Sequence, residues 1–245
     1  MKHCFTIARR IIAQLIHDRR LLILSVIAPL IVVYLMRIFL KTMPAGFPTG
    51  RYVMPLTAFI VHFVTFLQCT IALVKERSSG TLVRMFISGA SYVHIITGYT
   101  LGYLGLALFV AGATLAESLL LFKLSYSTTV IIQLFGIMSL LGLVSVLLGI
   151  FVSSFARNES QVFPIIPLVA LPGIFLSGLL VDAQKLPVWA LWVGRGFPLY
   201  YANNLILEVT KKLPQTKILI TNTTALICYG VILLVLASIS LCERD

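Results

Sequence analysis

The residues of this 245-residue chain that could do chemistry are four histidines, four cysteines and eight acids, and their spacing sets limits at once. His3, His17, His62 and His94 stand far apart, as do Cys4, Cys69, Cys228 and Cys242, so neither a metal cluster nor a disulfide framework is read from them. No HExxH, no GxSxG and no Gly-rich phosphate loop ending in Lys-Ser or Lys-Thr occurs. The reading is a chain with no catalytic residues, no nucleotide site, and no cofactor or metal of its own. The polar residues that stand out lie inside apolar runs instead: Arg37, His62, Gln68 and Glu117. Polar groups at such depth are costly unless paired or hydrated. His62 and Gln68 are expected to face an internal cavity or a partner helix, or to lock packing through an interhelical hydrogen bond. Arg37 and Glu117 fall near the ends of their runs, where side chains snorkel toward headgroups.

Two segments outside these runs are more informative. The first is Lys75-Glu76-Arg77-Ser78-Ser79-Gly80-Thr81-Leu82-Val83-Arg84-Met85-Phe86, with a charged start, a flexible Ser-Ser-Gly and then the signal of a short amphipathic helix, expected over residues 76–87. Glu76 and Thr81 could cap or tether that helix at a membrane surface, with Leu82, Met85 and Phe86 as its apolar anchor; a plain connecting loop is the bland alternative. The second segment, residues 182–209, carries Leu186, Pro187, Trp189 and Trp192, then Gly196, Pro198, Tyr200 and Tyr201. Its aromatic residues are of the kind that sit at a membrane–water interface. Gly196 and Pro198 interrupt it, which predicts a re-entrant pair of short helices rather than a seventh span.

The elements that must position these residues follow from composition. Hydrophobic residues make up 59% of the chain, charged residues 11%, and the mean hydropathy is +1.03, outside the range of a soluble domain. Apolar runs of about 18 or more residues recur, each long enough as a helix to cross a hydrocarbon core roughly 30 Å thick. They do not alternate as the strands of a membrane barrel would. Six transmembrane helices are predicted, over 21–40, 52–74, 92–122, 129–155, 162–181 and 218–241, in a single all-α membrane domain covering 1–245.

Ahead of the first span, Phe5, Ala8, Ile11, Ile12, Leu15 and Ile16 fall on one arc of a helix and Lys2, His3, Arg9, Arg10, His17 and Arg20 on the other. Residues 1–20 are read as an interfacial amphipathic helix, against the alternative of a plain extension of the first span. The run after it is too long, and lacks the small-residue cleavage pattern, for a removable signal. The basic N-terminal tail places both termini in the cytoplasm, although Lys185, Arg195, Lys211, Lys212 and Lys217 in the last loop weigh the other way. The net charge of +11 is scattered over juxtamembrane positions that attract anionic headgroups, and it does not indicate nucleic acid. Gly98 and Gly102 form a GxxxG pattern, continued by Gly105 and Gly112, which predicts close helix packing within the chain more readily than self-association. Pro164, Pro167 and Pro172 are expected to kink or break the fifth span.

Taken in order, these motifs resemble a known family. Glu76 to Thr81 looks like the E-x-x-x-G-T signature that follows the second span of ABC-2-type exporter permeases. Phe175-Leu176-Ser177-Gly178, Leu186-Pro187-Val188-Trp189 and Phe197-Pro198-Leu199-Tyr200-Tyr201 look like that family's F-x-x-G, L-P-x-W and x-P-x-x-Y pattern. One departure is Gly89-Ala90-Ser91, where the family often has a proline after the cytoplasmic helix.

The resemblance implies a permease of the cell membrane that dimerises with itself or a paralogue and docks two cytoplasmic ABC ATPase subunits, which carry the ATP and Mg. Coupling to the ATPase would involve Glu76, Arg77, Gly80, Thr81, Leu82, Arg84 and Phe86. The outer gate would be built from Leu186, Pro187, Trp189, Gly196, Pro198, Tyr200 and Tyr201. A pathway could be lined by Tyr34, Phe59, His62 and Phe66. The cargo is expected to be hydrophobic or amphipathic, such as a drug, an antibiotic or a lipid-like molecule. Export of a polysaccharide or lipid-linked glycan, or an intramembrane enzyme activity, are the alternatives.

Overall fold

The computed structural model describes residues 2–44, 46–181 and 185–242, without the side chains of residues 2, 3, 20, 21, 241 and 242. Expectations that fall on Met1, residues 182–184 and residues 243–245 lie outside the described residues. The chain folds into ten helices among these residues: α1 (Lys2–His17), α2 (Arg19–Lys41), α3 (Thr49–Ser78), α4 (Thr81–Ile87), α5 (Tyr92–Phe122), α6 (Thr128–Ser153), α7 (Glu159–Leu176), α8 (Val188–Gly194), α9 (Pro198–Val209) and α10 (Thr216–Cys242). Six of them, α2, α3, α5, α6, α7 and α10, are long and apolar enough to span a membrane. The protein is an all-α, multi-pass membrane protein.

Local chemistry explains where these helices begin and end. Ser91 starts α5 with a capping box: its hydroxyl accepts from the His94 N–H while the His94 ring accepts from the Ser91 N–H. Ser127 caps α6 and Asn158 caps α7 through side-chain oxygens on the N–H groups three residues ahead. Gly80, at φ +69°, takes the left-handed conformation that lets the chain leave α3 and enter α4 within two residues. α3 therefore runs four residues past the expected limit of 74. Glu76 and Arg77, expected at the head of the helix over 76–87, belong to the last turn of α3, and the short helix itself is only Thr81–Ile87. The Gly89-Ala90-Ser91 departure is the linker that separates α4 from the cap of α5, with Gly89 at φ +88°.

Two further boundaries differ, those of α1 and α7. α1 ends at His17, three residues short of the expected limit of 20, and a break at Asp18 separates it from α2. α7 stays helical across its three prolines and stops at Leu176, five residues short of the expected end, with Gly178 at φ +79° just beyond.

At the centre of the bundle, α3 packs against α6 more extensively than any other pair. The seam is close because Gly149 has no side chain: a Cβ there would lie 2.9 Å from the Phe66 carbonyl oxygen. α3 and α6 are the most buried spans, whereas α2, α7 and α10 keep most of their apolar surface outward. In lipid that outward surface needs no protein cover.

Candidate coupling site

The glycines of the GxxxG pattern serve α1. A Cβ on Gly98 would come within 2.6 Å of Ile7 Cγ2, and one on Gly102 within 2.7 Å of Ile11 Cγ2. Ile7, Ala8 and Ile11 are accordingly buried against α5, while Phe5, Ile12 and Ile16 stay exposed on the flank of α1. The helix thus has three faces: one packed on α5, one apolar and outward, and one polar. From the polar face, the Arg10 guanidinium donates to Glu76 Oε1 at 2.5 Å and Gln14 Nε2 donates to the same oxygen at 3.2 Å. Arg10 also reaches Met85 Sδ of α4 at 3.3 Å. One arginine therefore ties together α1, the end of α3 and α4.

These elements enclose a cavity of about 600 Å³ whose lining includes Arg10, Gln14, Glu76, Tyr99, Tyr103 and Glu159. Glu76 Oε2 and the Tyr99 hydroxyl are both buried beside it. Arg77 points elsewhere: its guanidinium donates to the carbonyls of Ser153 at 2.8 Å and Ala156 at 3.4 Å, at the C-terminus of α6. There it meets the negative end of the helix dipole.

On α4, Leu82 and Met85 are buried, Thr81 and Phe86 are half-buried, and the Phe86 ring meets Tyr92 at 4.6 Å. The outward surface of α4 is made of Val83, Arg84 and Ile87, the last 81% exposed. Arg10, Val83 and Ile87 were not singled out from the sequence. Arg10 is one of several arginines on the polar arc of α1, and nothing local distinguishes the one that meets an acid 66 residues away.

At the opposite end of the bundle, α8 and α9 are the two short helices expected on either side of Gly196. Tyr201 donates its hydroxyl to the Arg195 carbonyl at 2.9 Å and Tyr229 of α10 donates to the Gly196 carbonyl at 2.8 Å, so the break is pinned from two sides. Trp189 is exposed, Leu186 and Tyr200 are half-buried, and Pro198 is buried at the first position of α9, where a missing N–H costs nothing. Buried Asn203 donates to the Ser177 carbonyl at 3.0 Å, joining α9 to the end of α7. Glu208 closes the turn after α9, accepting from Lys211 Nζ at 2.5 Å and from the Gln215 N–H at 2.7 Å. The Lys211 hydrogen bond first, and then the Gln215 N–H, hold the Glu208 carboxyl below the usual glutamate range.

The four pathway candidates separate. Tyr34 is 51% exposed on α2 and Phe59 is half-buried, stacked on Phe63 at 5.9 Å. His62 and Phe66 lie inside the α3–α6 seam, where His62 Nδ1 is 2.6 Å from Ser145 Oγ and Phe66 has no exposed surface. Of the two roles expected for His62, the structure shows the interhelical hydrogen bond.

The clamp thus joins an N-terminal helix to the end of the second span, beside a short surface helix, in an all-α membrane bundle. Comparison with known proteins gives the family: the profile of the ABC-2 family transporter proteins matches residues 48–239, and the chain belongs to that family. It is 26% identical over 171 residues to ABC transporter G family member 20 of Dictyostelium discoideum, a match covering 68% of this chain and 23% of that protein. It is 27% identical over 139 residues to the "Probable multidrug ABC transporter permease YbhR" of Escherichia coli K12, covering 56% of this chain and 38% of the relative. The matched stretches thus span well under half the length of these relatives.

Proposed function

We propose that the chain is the permease subunit of an ATP-driven exporter, moving a hydrophobic or amphipathic cargo across the cytoplasmic membrane with energy from a separate ATPase subunit. The observation that carries this reading is the Arg10–Glu76 contact of 2.5 Å, which makes one block of α1, the end of α3 and α4 and leaves Val83, Arg84 and Ile87 facing outward. Two ATPase subunits, each with its ATP and Mg, dock on that face in a dimer of this chain with itself or a paralogue. Their closure moves α4, and the arginine passes the motion to α1 and α3. Coupling requires the ATP-bound and nucleotide-free states to hold this block differently, since equal affinity for both states shifts nothing.

In this reading Tyr34 and Phe59 line the path, with His62 and Phe66 behind them fixing α3 to α6. Leu186, Pro187, Trp189, Gly196, Pro198, Tyr200 and Tyr201 form the outer gate as a re-entrant pair. The name of the Escherichia coli relative supports a drug-like cargo.

A second reading, export of a lipid-linked glycan, is favoured by a cavity of about 570 Å³ at the α9 end, whose lining includes Tyr200, Asn203, Asn204 and Asn222 beside the charged Arg51, Glu208 and Lys211. Carboxamides and a phenol are the groups that recognise hydroxyl-rich ligands.

The deciding experiment is affinity purification of the tagged chain from native membranes in mild detergent. Recovery of a stoichiometric P-loop ATPase, lost in an Arg84→Glu, Ile87→Asp variant that still inserts, supports the coupling face. Retention of the ATPase by that variant removes α4 from the interface, and absence of any ATPase overturns the exporter reading. Stimulation of the complex's ATPase by a panel of amphipathic drugs or by a lipid-linked oligosaccharide then separates the two cargo classes.

A further inference from the structure

At the end of the bundle opposite α1 and α4, a cavity of about 350 Å³ lies where α2 and α5 end and α3 begins. Three of its lining residues are cations, Arg37, Lys41 and Lys123, and the others are Thr49 and the apolar Leu40, Leu121 and Phe122. No acid lines it, and none of the three cations forms an ion pair among the described residues. Arg37 Nε is buried and has no hydrogen-bond partner among the described residues.

A basic residue at the last turn of a helix is in part explained by the helix dipole, and Lys41 and Lys123 both stand at C-terminal ends. That explanation accounts for each lysine singly. It does not account for an arginine one turn further in, turned to the same cavity and unpaired. Like charges gathered around one apolar-floored cavity repel, and the arrangement is stable only if an anion or dense hydration offsets them. The third element adds to the same sign: α3 starts here, its N-cap Pro48 supplies no side-chain cap, and Thr49 at its first position lines the cavity.

Depth decides which anion. α2 has 23 residues, about 34 Å of helix, so its last turns reach the level where hydrocarbon gives way to headgroups. Around Arg37, the side chains of Leu35, Ile38 and Phe39 are about half exposed, as expected of a surface that lipid covers. On α5, Leu120 beside the cavity wall is 78% exposed.

We propose that Arg37, Lys41, Lys123 and Thr49 form a binding site for the phosphate of an anionic phospholipid headgroup, with the acyl chains lying along the apolar surfaces of α2 and α5. Bidentate contact by the guanidinium suits a phosphodiester, and the two lysines supply point charges around it. Such a lipid ties the ends of α2, α3 and α5 together, across the segment that joins α2 to α3. The proposal does not depend on the exporter reading.

Native mass spectrometry of the detergent-purified full chain tests it, with phosphatidylglycerol, phosphatidylcholine and inorganic phosphate as the titrants. The wild type is expected to retain one phosphatidylglycerol in preference to phosphatidylcholine. An Arg37→Gln, Lys41→Gln, Lys123→Gln variant should bind that lipid about a hundredfold more weakly, at roughly fivefold for each headgroup-level cation. A charge-conserving Arg37→Lys, Lys41→Arg, Lys123→Arg variant should keep most of the affinity, and a Lys212→Gln, Lys217→Gln variant, outside the cavity, all of it. Equal retention of phosphatidylglycerol by the wild type and the neutral variant, or equal loss in the charge-conserving variant, overturns the site. Displacement of the lipid by inorganic phosphate at similar concentration overturns the lipid assignment in favour of a free phosphoryl ligand.

Discussion

His62 Nδ1 and Ser145 Oγ meet at 2.6 Å in the middle of the α3–α6 seam, and the Ser145 hydroxyl in turn donates to the Leu141 carbonyl at 2.5 Å. Because the serine proton is committed to that carbonyl, the imidazole donates its Nδ1 proton to the serine. The chain of donors fixes the ring across the two helices.

Removing the acceptor should therefore be felt. Ser145→Ala leaves the His62 donor unpaired in an apolar seam and is expected to lower the unfolding free energy by about 1–2 kcal/mol in a detergent titration. Ser139→Ala, which removes a hydroxyl that has no partner, should cost nothing measurable. Equal stability of the two variants would show that the 2.6 Å contact contributes no net stability.

The docking of α1 should be the most sterically sensitive feature of the block formed by α1, the end of α3 and α4. Gly98→Ala places a methyl 2.6 Å from Ile7 and should weaken α1 docking by about 1–3 kcal/mol. Gly105→Ala meets nothing within 4 Å and should be neutral or slightly stabilising through helix propensity. Trypsin cleavage between α1 and α2 at Arg19, timed on folded protein, reads the difference, and equal cleavage rates in the two variants would refute the close fit.

Arg10 and Glu76 should behave as a unit. Each is partly shielded, with side chains 33% and 14% exposed, so a double-mutant cycle with alanine is expected to return a coupling energy on the order of 1 kcal/mol. If the pair also transmits motion, either single alanine variant should bind the ATPase yet lose coupled transport, and the double variant should be no worse than the worse single. Fully additive losses would separate the two residues.

Glu208 gives a pH dependence with a definite sign. Its folded-state carboxyl titrates below the ordinary glutamate range of about 4.3, so the folded protein holds the charge more readily than the unfolded chain. The resulting stability is present above that range and is lost as pH falls through the depressed folded value. Melting temperatures across an acid series should fall for the wild type, and Glu208→Gln should be less stable at neutral pH with a flatter acid limb. Parallel curves would remove Glu208 from the acid response.

Much of the architecture was legible along the chain because its causes are local. Span count follows from runs of apolar residues, whereas the caps Ser91, Ser127 and Asn158 act within three positions yet stand out only once the helices are in place. The motif order from Glu76 to Tyr201 was enough to suggest the family that the profile match then showed. The expected limits shifted where a local signal was weaker than its surroundings. α3 ran on to Ser78 because nothing before Gly80 stops a helix, and α7 tolerated three prolines because a pyrrolidine disrupts mainly the turn before it.

What the sequence by itself determined is therefore the class of protein and the number of spans, since hydrophobic length is read one segment at a time. Only the tertiary structure decided that Gly98 and Gly102 receive Ile7 and Ile11, that Arg10 rather than Arg9 meets Glu76, that Arg77 turns to the end of α6, and that Arg37, Lys41 and Lys123 share a cavity. The physical reason is the solvent. In lipid a helix is apolar on every side, so hydrophobicity no longer marks which face is turned inward, and partners far apart in the chain are chosen by shape and by the few polar groups that must find one another.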